Sequence, residues 1–187
     1  YGETCVMCNV VMSPKPREGV DFFPLNVEYE EKLYAAGRIP GSFMRREGRP
    51  GERAILTSRV VDRPMRPLFP KEMRNDVCIT MTVMSLDPDC SPEIAGMIGA
   101  SLVTAVSEIP WNGPIGGVQV GLVDGEIVLN PTQEQRRKSD LALTVAATMD
   151  KIVMIEAGAN EVDEDTMLNA IKAAHVAVSY THLTLPT

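Results

Sequence analysis

Apolar and polar residues alternate in several short runs of the chain, a pattern typical of half-buried β-strands. The clearest run is Val77–Val83, in which apolar side chains alternate with Thr80 and Thr82. Asp124-Gly125 lies between two such runs and predicts a two-residue hairpin turn, and Met149-Asp150 is expected to turn a second hairpin. The alternating runs predict seven strands: Cys5–Met12, Leu25–Glu30, Val77–Val83, Val118–Leu122, Ile127–Leu129, Leu141–Thr148 and Ile152–Ala157.

Other segments have the three- and four-residue spacing of apolar positions that predicts helices. Pro64 is expected to end the first helix, because proline cannot donate the next backbone hydrogen bond. Ser91 and Pro92 are typical of the N-cap and first position of the second, whose small residues predict close packing on several sides. The predicted helices are Gly51–Arg63, Ser91–Glu108 and a last helix that begins at a cap, Asp163 or Asp165, and runs to about Val178.

The order of these elements predicts an α+β fold with a mixed β-sheet packed with helices, because strands outnumber helices and arrive as hairpins. The chain has 187 residues, 44% of them apolar and 23% charged, as in an ordinary globular domain. No apolar run approaches the length of a membrane span, so no membrane contact is expected. The absence of a Walker-type phosphate loop and of G-x-G-x-x-G argues against a nucleotide-hydrolysing or dinucleotide-dependent enzyme.

Charge is distributed unevenly along the chain. The arginine segment, Arg38–Pro70, has eight arginines, no lysine and three acids, a balance of +5. The whole chain carries −7, so the remaining residues carry −12. A guanidinium group can donate two parallel hydrogen bonds to one phosphate, and it can stack on a base. The arginine segment is therefore predicted to contact phosphate or nucleic acid.

Three arginines of this segment lie on or just after the first predicted helix. Arg59 and Arg63 are four residues apart and share one helix face, which Arg66 could extend. An alternative stays open for Arg63 and Arg66: a structural pairing with Asp62 or Glu52 that fastens the proline-rich turn.

The cysteines do not form a metal-site pattern. Cys5 and Cys8 make one C-x-x-C pair, but they point to opposite faces of a strand, and Cys78 and Cys90 supply no second pair. No metal site is predicted, and reduced core cysteines are expected.

Longer motifs carry a resemblance to a known family. They are Phe22-Phe23-Pro-Leu, Tyr34-Ala-Ala-Gly-Arg-Ile-Pro-Gly-Ser-Phe, Arg45-Arg46-Glu-Gly-Arg-Pro, Asp62-Arg-Pro-Met-Arg-Pro-Leu-Phe-Pro, Met97-Ile-Gly-Ala-Ser, Asn112-Gly-Pro-Ile-Gly and Leu129-Asn-Pro-Thr. Over about Tyr1 to Val178 the chain resembles the first core domain of the bacterial polynucleotide phosphorylase family. The resemblance implies a ribonuclease PH-like domain at 1–178, with a preceding strand missing at its N-terminus and hence marginal stability or self-association. Residues 179–187 fit no helix and are expected to be a non-native tail.

The resemblance also implies an activity and its partners. The family forms homotrimeric rings in which each chain has two ribonuclease PH-like domains, and it degrades single-stranded RNA from the 3′ end with inorganic phosphate. It uses Mg²⁺ or Mn²⁺, acts in the cytoplasm, and works with other RNA-degradation proteins; no DNA partner is expected.

The family grips RNA with a Phe-Phe-Arg-Arg loop. The matching residues here are Phe43, Met44, Arg45 and Arg46, so methionine replaces the second aromatic ring. Arg59, Arg63 and Arg66 would line the cleft that faces the catalytic domain. These seven residues are the predicted RNA-binding set.

Catalysis, by the same resemblance, belongs to the second domain of the family. Its phosphate-holding helix start corresponds to Asp89–Glu93 here, where two acids and Pro92 disfavour an anion. Its Asp-x-Lys corresponds to Ala142-Leu143-Thr144, so metal ligand and catalytic lysine are both absent. This domain is therefore predicted to be inert alone, with the metal bound outside it.

Two other functions remain as alternatives. One is a stand-alone, non-catalytic RNA-binding ring subunit of an exosome-like assembly. The other is a small-molecule kinase of related fold, which the lack of a phosphate loop disfavours.

Overall fold

Seven strands form two β-sheets in the computed structural model, which describes residues 1–41 and 43–184. Each predicted strand is confirmed, with ends that differ by a few residues. The strands are β1 Cys5–Pro16, β2 Leu25–Glu31, β3 Asn75–Ser85, β4 Gly116–Val123, β5 Glu126–Leu129, β6 Leu141–Ala147 and β7 Ile152–Ala159. The helices are α1 Glu52–Met65, α2 Pro92–Ala105, α3 Gln133–Lys138 and α4 Glu164–Thr184, with 3-10 turns at Leu33–Ala36 and Arg66–Leu68.

The first sheet has the order β1-β3-β2 and is mixed, because β3 pairs antiparallel with β1 and parallel with β2. The second has the order β5-β4-β6-β7 and is antiparallel throughout. Two clusters of buried apolar side chains lie against the sheets. The first cluster holds the side chains of the first sheet together with Ala146 and Met154 of the second, and the second cluster holds most of the others from the second sheet. The α+β class is confirmed, but two sheets are present where one was expected.

Both predicted hairpins are present. Asp124 and Gly125 have φ of 52° and 81°, the left-handed values that a two-residue turn between twisted strands requires. The β6–β7 hairpin closes with the amide of Thr148, which donates to the carbonyl of Lys151.

Helix α2 packs against β1 and β3 of the first sheet, β4 of the second, and α1. Its glycines permit this approach: a Cβ on Gly99 would overlap the Cys8 sulfur, and one on Gly96 would lie 3.3 Å from the Met81 sulfur. The expectation that this small-residue helix has neighbours on several sides is confirmed. It ends three residues early, because the Ser107 hydroxyl bonds the Thr104 carbonyl and the Ile109 amide in place of the next helical turn.

Two further expectations about helix ends are wrong. Pro64 lies inside α1, which continues to Met65 and then into a 3-10 turn. Near the end of a helix the missing N–H of a proline removes one bond, and the amide of Arg66 still donates to the carbonyl of Asp62.

Helix α4 continues to Thr184 instead of ending near Val178, so residues 179–184 are helical, against expectation. Ala170, Ala174 and Val178 are buried, and extending a docked helix costs far less than nucleating one. Ser179 also donates from its hydroxyl to the carbonyls of His175 and Met149. Residues 185–187 of the expected tail lie outside the described part of the chain.

Strand β1 runs on to Pro16 because it lies at a sheet edge, where proline is tolerated. No helix within the described residues is long and apolar enough to cross a membrane.

Candidate nucleic-acid interface

The basic loop, residues 38–50, connects the first 3-10 turn to α1 and is described except for residue 42. Gly37, at a φ of 67°, ends the turn and lets the chain leave it. The Glu47 carboxylate accepts a hydrogen bond from the amide of Leu33 at 3.0 Å, which ties the far half of the loop back to the start of the turn. The loop is thus anchored at both ends, and its tip, residues 43–46, is exposed.

Apolar side chains of the basic loop are exposed to an unusual degree. Phe43 has 101% of its reference surface exposed, Ile39 87% and Met44 67%. Exposed apolar groups beside cations offer a stacking surface for bases.

Arg45 and Arg46 follow directly on these side chains and are both exposed. Arg45 has a φ of 46°, a left-handed conformation that is uncommon for a residue with a side chain. Neither guanidinium has an ion pair or hydrogen bond with any residue that the structure describes. Both are therefore available to an outside anion.

Arg59 and Arg63 of α1 and Arg66 of the following 3-10 turn do not converge on one surface. Arg59 lines a shallow groove against the acidic strand β2. Arg63 reaches toward β7, with its Nη1 3.8 Å from Oε2 of Glu156. Arg66 turns toward the start of β2. The shared face expected from their spacing is thus divided among three directions.

Arg66 is engaged within the chain by every nitrogen of its guanidinium. Nε and Nη2 donate to the two carboxylate oxygens of Asp62 at 3.0 and 2.7 Å. Nη1 and Nη2 donate to the carbonyls of Phe23 and Leu25 at 3.0 and 3.1 Å. Of the alternatives left open by the sequence, the Asp62 pairing of Arg66 is the one present. The bonds to the carbonyls of Phe23 and Leu25 fasten the end of α1 to the start of β2.

A cavity of about 520 Å³ lies where α1, the start of α2 and the second sheet meet. Ala142 and Thr144 of β6 line it, together with Arg53 and Glu93, whose side chains lie 3.4 Å apart. Arg136 also lines this cavity, and it holds the carbonyls of Pro131 and Pro88. Sequence reasoning missed Arg136, although the Thr132–Gln135 capping box was a visible sign of an ordered helix there.

The acids at the start of α2 face donors of the chain itself. Asp89 accepts the amide of Gln133 at 2.8 Å, and Glu93 pairs with Arg53. The backbone amide of Asp89 and the thiol of Cys90 donate to Asp87 and hold its pKa below the ordinary value. Carboxylates of the chain itself therefore already supply the negative charge that the N-terminus of α2 favours. Among the described residues, no group of three or more His, Cys, Asp or Glu side chains is placed to hold a metal ion.

The sequence of this chain matches two successive family models, and they define its class. Residues 1–110 match the model described as "3' exoribonuclease family, domain 1", and residues 113–177 match "3' exoribonuclease family, domain 2". The chain belongs to the 3′ exoribonuclease family.

Several curated relatives of this chain share one name. This chain is 65% identical over 175 residues to the polyribonucleotide nucleotidyltransferase of Lachnoclostridium phytofermentans. The aligned region covers 94% of this chain and 25% of that protein. Identity is 61% to the protein of the same name from Ruminiclostridium cellulolyticum and 58% to that from Clostridioides difficile, with the same coverage. The chain thus spans about a quarter of the length of the curated relatives it matches.

A solved structure shares the fold. Rice (Oryza sativa) Rrp46 superposes with a TM-score of 0.75 over 98% of this chain and 84% of the rice chain, at 14% sequence identity. At that identity the likeness concerns the fold alone, and it is the ribonuclease PH-like fold expected from the sequence motifs.

Proposed function

We propose that this chain is the RNA-gripping first core domain of a longer phosphorolytic 3′-to-5′ exoribonuclease. The observation that carries the proposal is the tip of the basic loop, where Phe43 is fully exposed beside two guanidinium groups that are free of partners in the described structure. Stacking on an aromatic ring and pairing of phosphates with arginine bind single strands without reading sequence. The identity of 58–65% to proteins named polyribonucleotide nucleotidyltransferase favours this function over a stand-alone ring subunit or a kinase.

Phe43, Met44, Arg45 and Arg46 would hold the strand in this proposal. Arg59 and Arg63, both exposed, would add positive potential nearby. Arg66 would act indirectly, by holding β2 against α1, because its donors are already used.

Chemistry would take place elsewhere in the longer protein. Ala142 and Thr144 supply neither a carboxylate for a metal ion nor the ammonium of a lysine. Inorganic phosphate and Mg²⁺ or Mn²⁺ would therefore bind outside this chain. The longer protein would act as a homotrimer in the cytoplasm, with other RNA-degradation proteins as partners.

The test is RNA binding by the longer protein with the Arg45→Ala/Arg46→Ala double substitution, measured by fluorescence anisotropy with labelled single-stranded RNA over a series of salt concentrations. We expect weaker binding, uniform across sequences. The slope of log K against log salt should flatten by about 1.4, at roughly 0.7 for each phosphate that is no longer bound. Met44→Phe should tighten binding with little change in slope, because it adds a ring and no charge.

The matched control is Lys151→Ala/Lys172→Ala, which removes two exposed positive charges away from the basic loop. It should leave the slope near that of the wild type. An unchanged slope in the arginine variant, or a loss confined to particular sequences, would show that Arg45 and Arg46 do not contact the RNA backbone.

A further inference from the structure

Met44 is the most exposed of the eleven methionines of the chain. At 67% exposure its side chain belongs to neither apolar cluster of the described residues. Met65, Met81 and Met97, by contrast, are completely buried. Oxidation of a sulfur-containing side chain depends on its access to solvent. Met44 is therefore the methionine that an oxidant in solution should reach first.

A hydroperoxide oxidises a thioether by transferring one oxygen atom to it. The sulfur lone pair attacks the peroxide, and the S–O bond forms as the O–O bond breaks. The proton of the transferred oxygen passes to the other oxygen, which leaves as water or an alcohol. Sulfur loses two electrons and the peroxide gains them. The product, methionine sulfoxide, is polar and chiral and has no net charge.

In Met44 this reaction would change a side chain of the proposed RNA grip. A methionine thioether is flexible, polarizable and apolar, so it can lie against a base beside the Phe43 ring. A sulfoxide is hydrated, and covering it with a base removes that water at a cost. We propose that Met44 is a reversible oxidation site whose sulfoxide weakens the binding of single-stranded RNA by the basic loop. The inference rests on the proposed function and concerns its regulation.

The charges of the loop are not affected by this reaction. Arg45 and Arg46 keep their guanidinium groups, and the Phe43 ring has no sulfur to oxidise. The loop should therefore lose one base contact and keep its phosphate contacts. This combination gives the oxidised protein a signature that the loss of arginine does not have.

The other exposed methionines lie outside the basic loop. Met7 belongs to β1, Met84 to β3, and Met149 to the turn between β6 and β7. All three are less exposed than Met44, and the Met84 sulfur accepts the hydroxyl of Tyr34 at 3.2 Å. Their oxidation leaves the residues of the proposed grip unchanged.

The cysteines are also outside the loop, and two of them are poorly suited to react with peroxide. Burial raises the pKa of the Cys8 thiol to about 11, and burial together with the Asp87 carboxylate raises that of Cys90. Both therefore stay largely in the thiol form at neutral pH, whereas the thiolate is the nucleophile. Cys5 and Cys78 belong to β1 and β3.

The change at Met44 can be undone. Methionine sulfoxide reductases pass two electrons from cysteine thiols to the sulfoxide, and its oxygen leaves as water. Each of the two enzyme types acts on one epimer of the sulfoxide, so both are needed for full repair. The exposure that admits a peroxide to Met44 also admits these enzymes.

The test uses the longer protein, treated with hydrogen peroxide in a series of doses and then freed of oxidant. Mass spectrometry of the peptide that contains Met44 gives the converted fraction, and fluorescence anisotropy with labelled single-stranded RNA gives the affinity. We expect the affinity to fall by about fivefold on full conversion, the lower end of what one base contact contributes. The slope of log K against log salt should stay that of the untreated protein, because no charge is lost. Both reductases together should restore the affinity.

Two leucine variants are the controls. Met44→Leu cannot form the sulfoxide at this position, so the same peroxide doses should leave its own starting affinity unchanged. Met149→Leu, a matched change at an exposed methionine outside the loop, should stay as sensitive as the wild type. Far-UV circular dichroism confirms that each treated protein is folded.

Four results would each overturn the inference. They are Met149 converted while Met44 is not, an unchanged affinity at full conversion of Met44, a Met44→Leu variant that loses as much as the wild type, and a flatter salt slope after oxidation. The Arg45→Ala/Arg46→Ala variant separates such a failure from that of the proposed function. If it flattens the slope while conversion of Met44 has no effect, RNA binding by the loop stands and its control by oxidation does not. If it keeps the wild-type slope, the proposed function itself fails.

Discussion

Arg66 and Arg45 lie in the same arginine segment, yet the structure uses their identical side chains in opposite ways. Arg66 has four hydrogen bonds to a carboxylate and two strand carbonyls, whereas Arg45 has none within the described residues. A guanidinium whose donors are satisfied gains little from a phosphate, because existing bonds would first have to break. Availability of donors, not the mere presence of arginine, decides which residues are suited to bind RNA.

Arg66→Lys should lower the free energy of unfolding by about 1–2 kcal/mol, because an ammonium cannot reproduce the paired contacts with Asp62 and still reach both carbonyls. Urea denaturation measures the effect. Arg63→Lys is the matched control and should change stability by less than about 0.5 kcal/mol, since its pairing with Glu156 is exposed and long. If Arg66→Lys instead keeps the stability of the wild type, the bonds from Arg66 to Asp62 and to the carbonyls of Phe23 and Leu25 do not stabilise the fold.

One residue, Asp163, fixes where helix α4 begins. The Asp163 carboxylate accepts hydrogen bonds from the hydroxyl and the amide of Thr166, at 2.6 and 2.8 Å. These bonds favour the charged form and lower the pKa of Asp163 below its ordinary value. Of the two caps expected from the sequence, Asp163 is the one that caps the helix.

The stability that Asp163 contributes should depend on pH in a defined direction. Its folded pKa lies below its unfolded value, so the contribution is fully present above the unfolded pKa of about 3.9 and is lost as pH falls through the folded pKa. Asp163→Asn keeps an acceptor at the cap but has no charge to titrate. Urea midpoints measured between about pH 5 and pH 2 should therefore fall less steeply for this variant than for the wild type. Equal slopes would mean that the cap bond does not depend on ionisation.

The alternating pattern was sufficient to place all seven strands, because each has one face on a core and one toward solvent or the rest of the fold. Helix α3 was not predicted, since its six residues have no apolar periodicity; only the capping box marks it. The far end of α4 was not predictable from propensity, because docking of its earlier turns extends it. Of the candidate site, the loop position of Phe43–Arg46 followed from sequence, whereas the partners of Arg63 and Arg66 depend on which strands the fold brings beside α1.

In the whole molecule, the basic loop lies between strands β2 and β3 of the first sheet along the chain, and the second sheet forms the wall of the 520 Å³ cavity that includes Ala142 and Thr144. The Arg53–Glu93 contact lies on the cavity between them. The loop that we propose to bind RNA and the wall that lacks a carboxylate and a lysine at 142–144 thus belong to separate parts of the chain.

The purified chain should release no nucleoside diphosphates from poly(A) in the presence of phosphate and Mg²⁺ or Mn²⁺. The reason is that Ala142 and Thr144 have neither a carboxylate for the metal nor an ammonium for the leaving group. Thin-layer chromatography of labelled products gives the readout, with a phosphate-free reaction as the control for contaminating hydrolases. Phosphate-dependent release that a substitution within this chain abolishes would contradict the assignment.

The arginine segment carries a charge of +5 in a chain whose net charge is −7, and this imbalance affects how the protein is oriented as it approaches a polyanion. Separated charges of opposite sign give the protein an electric dipole moment, and the field of an approaching polyanion exerts a torque on it. We expect this torque to turn tumbling molecules so that the basic loop leads, and a larger share of collisions then arrives in a usable orientation. The torque acts only within the Debye length, about 8 Å at physiological ionic strength, so this alignment occurs in the last few ångströms of approach and fades as salt is added.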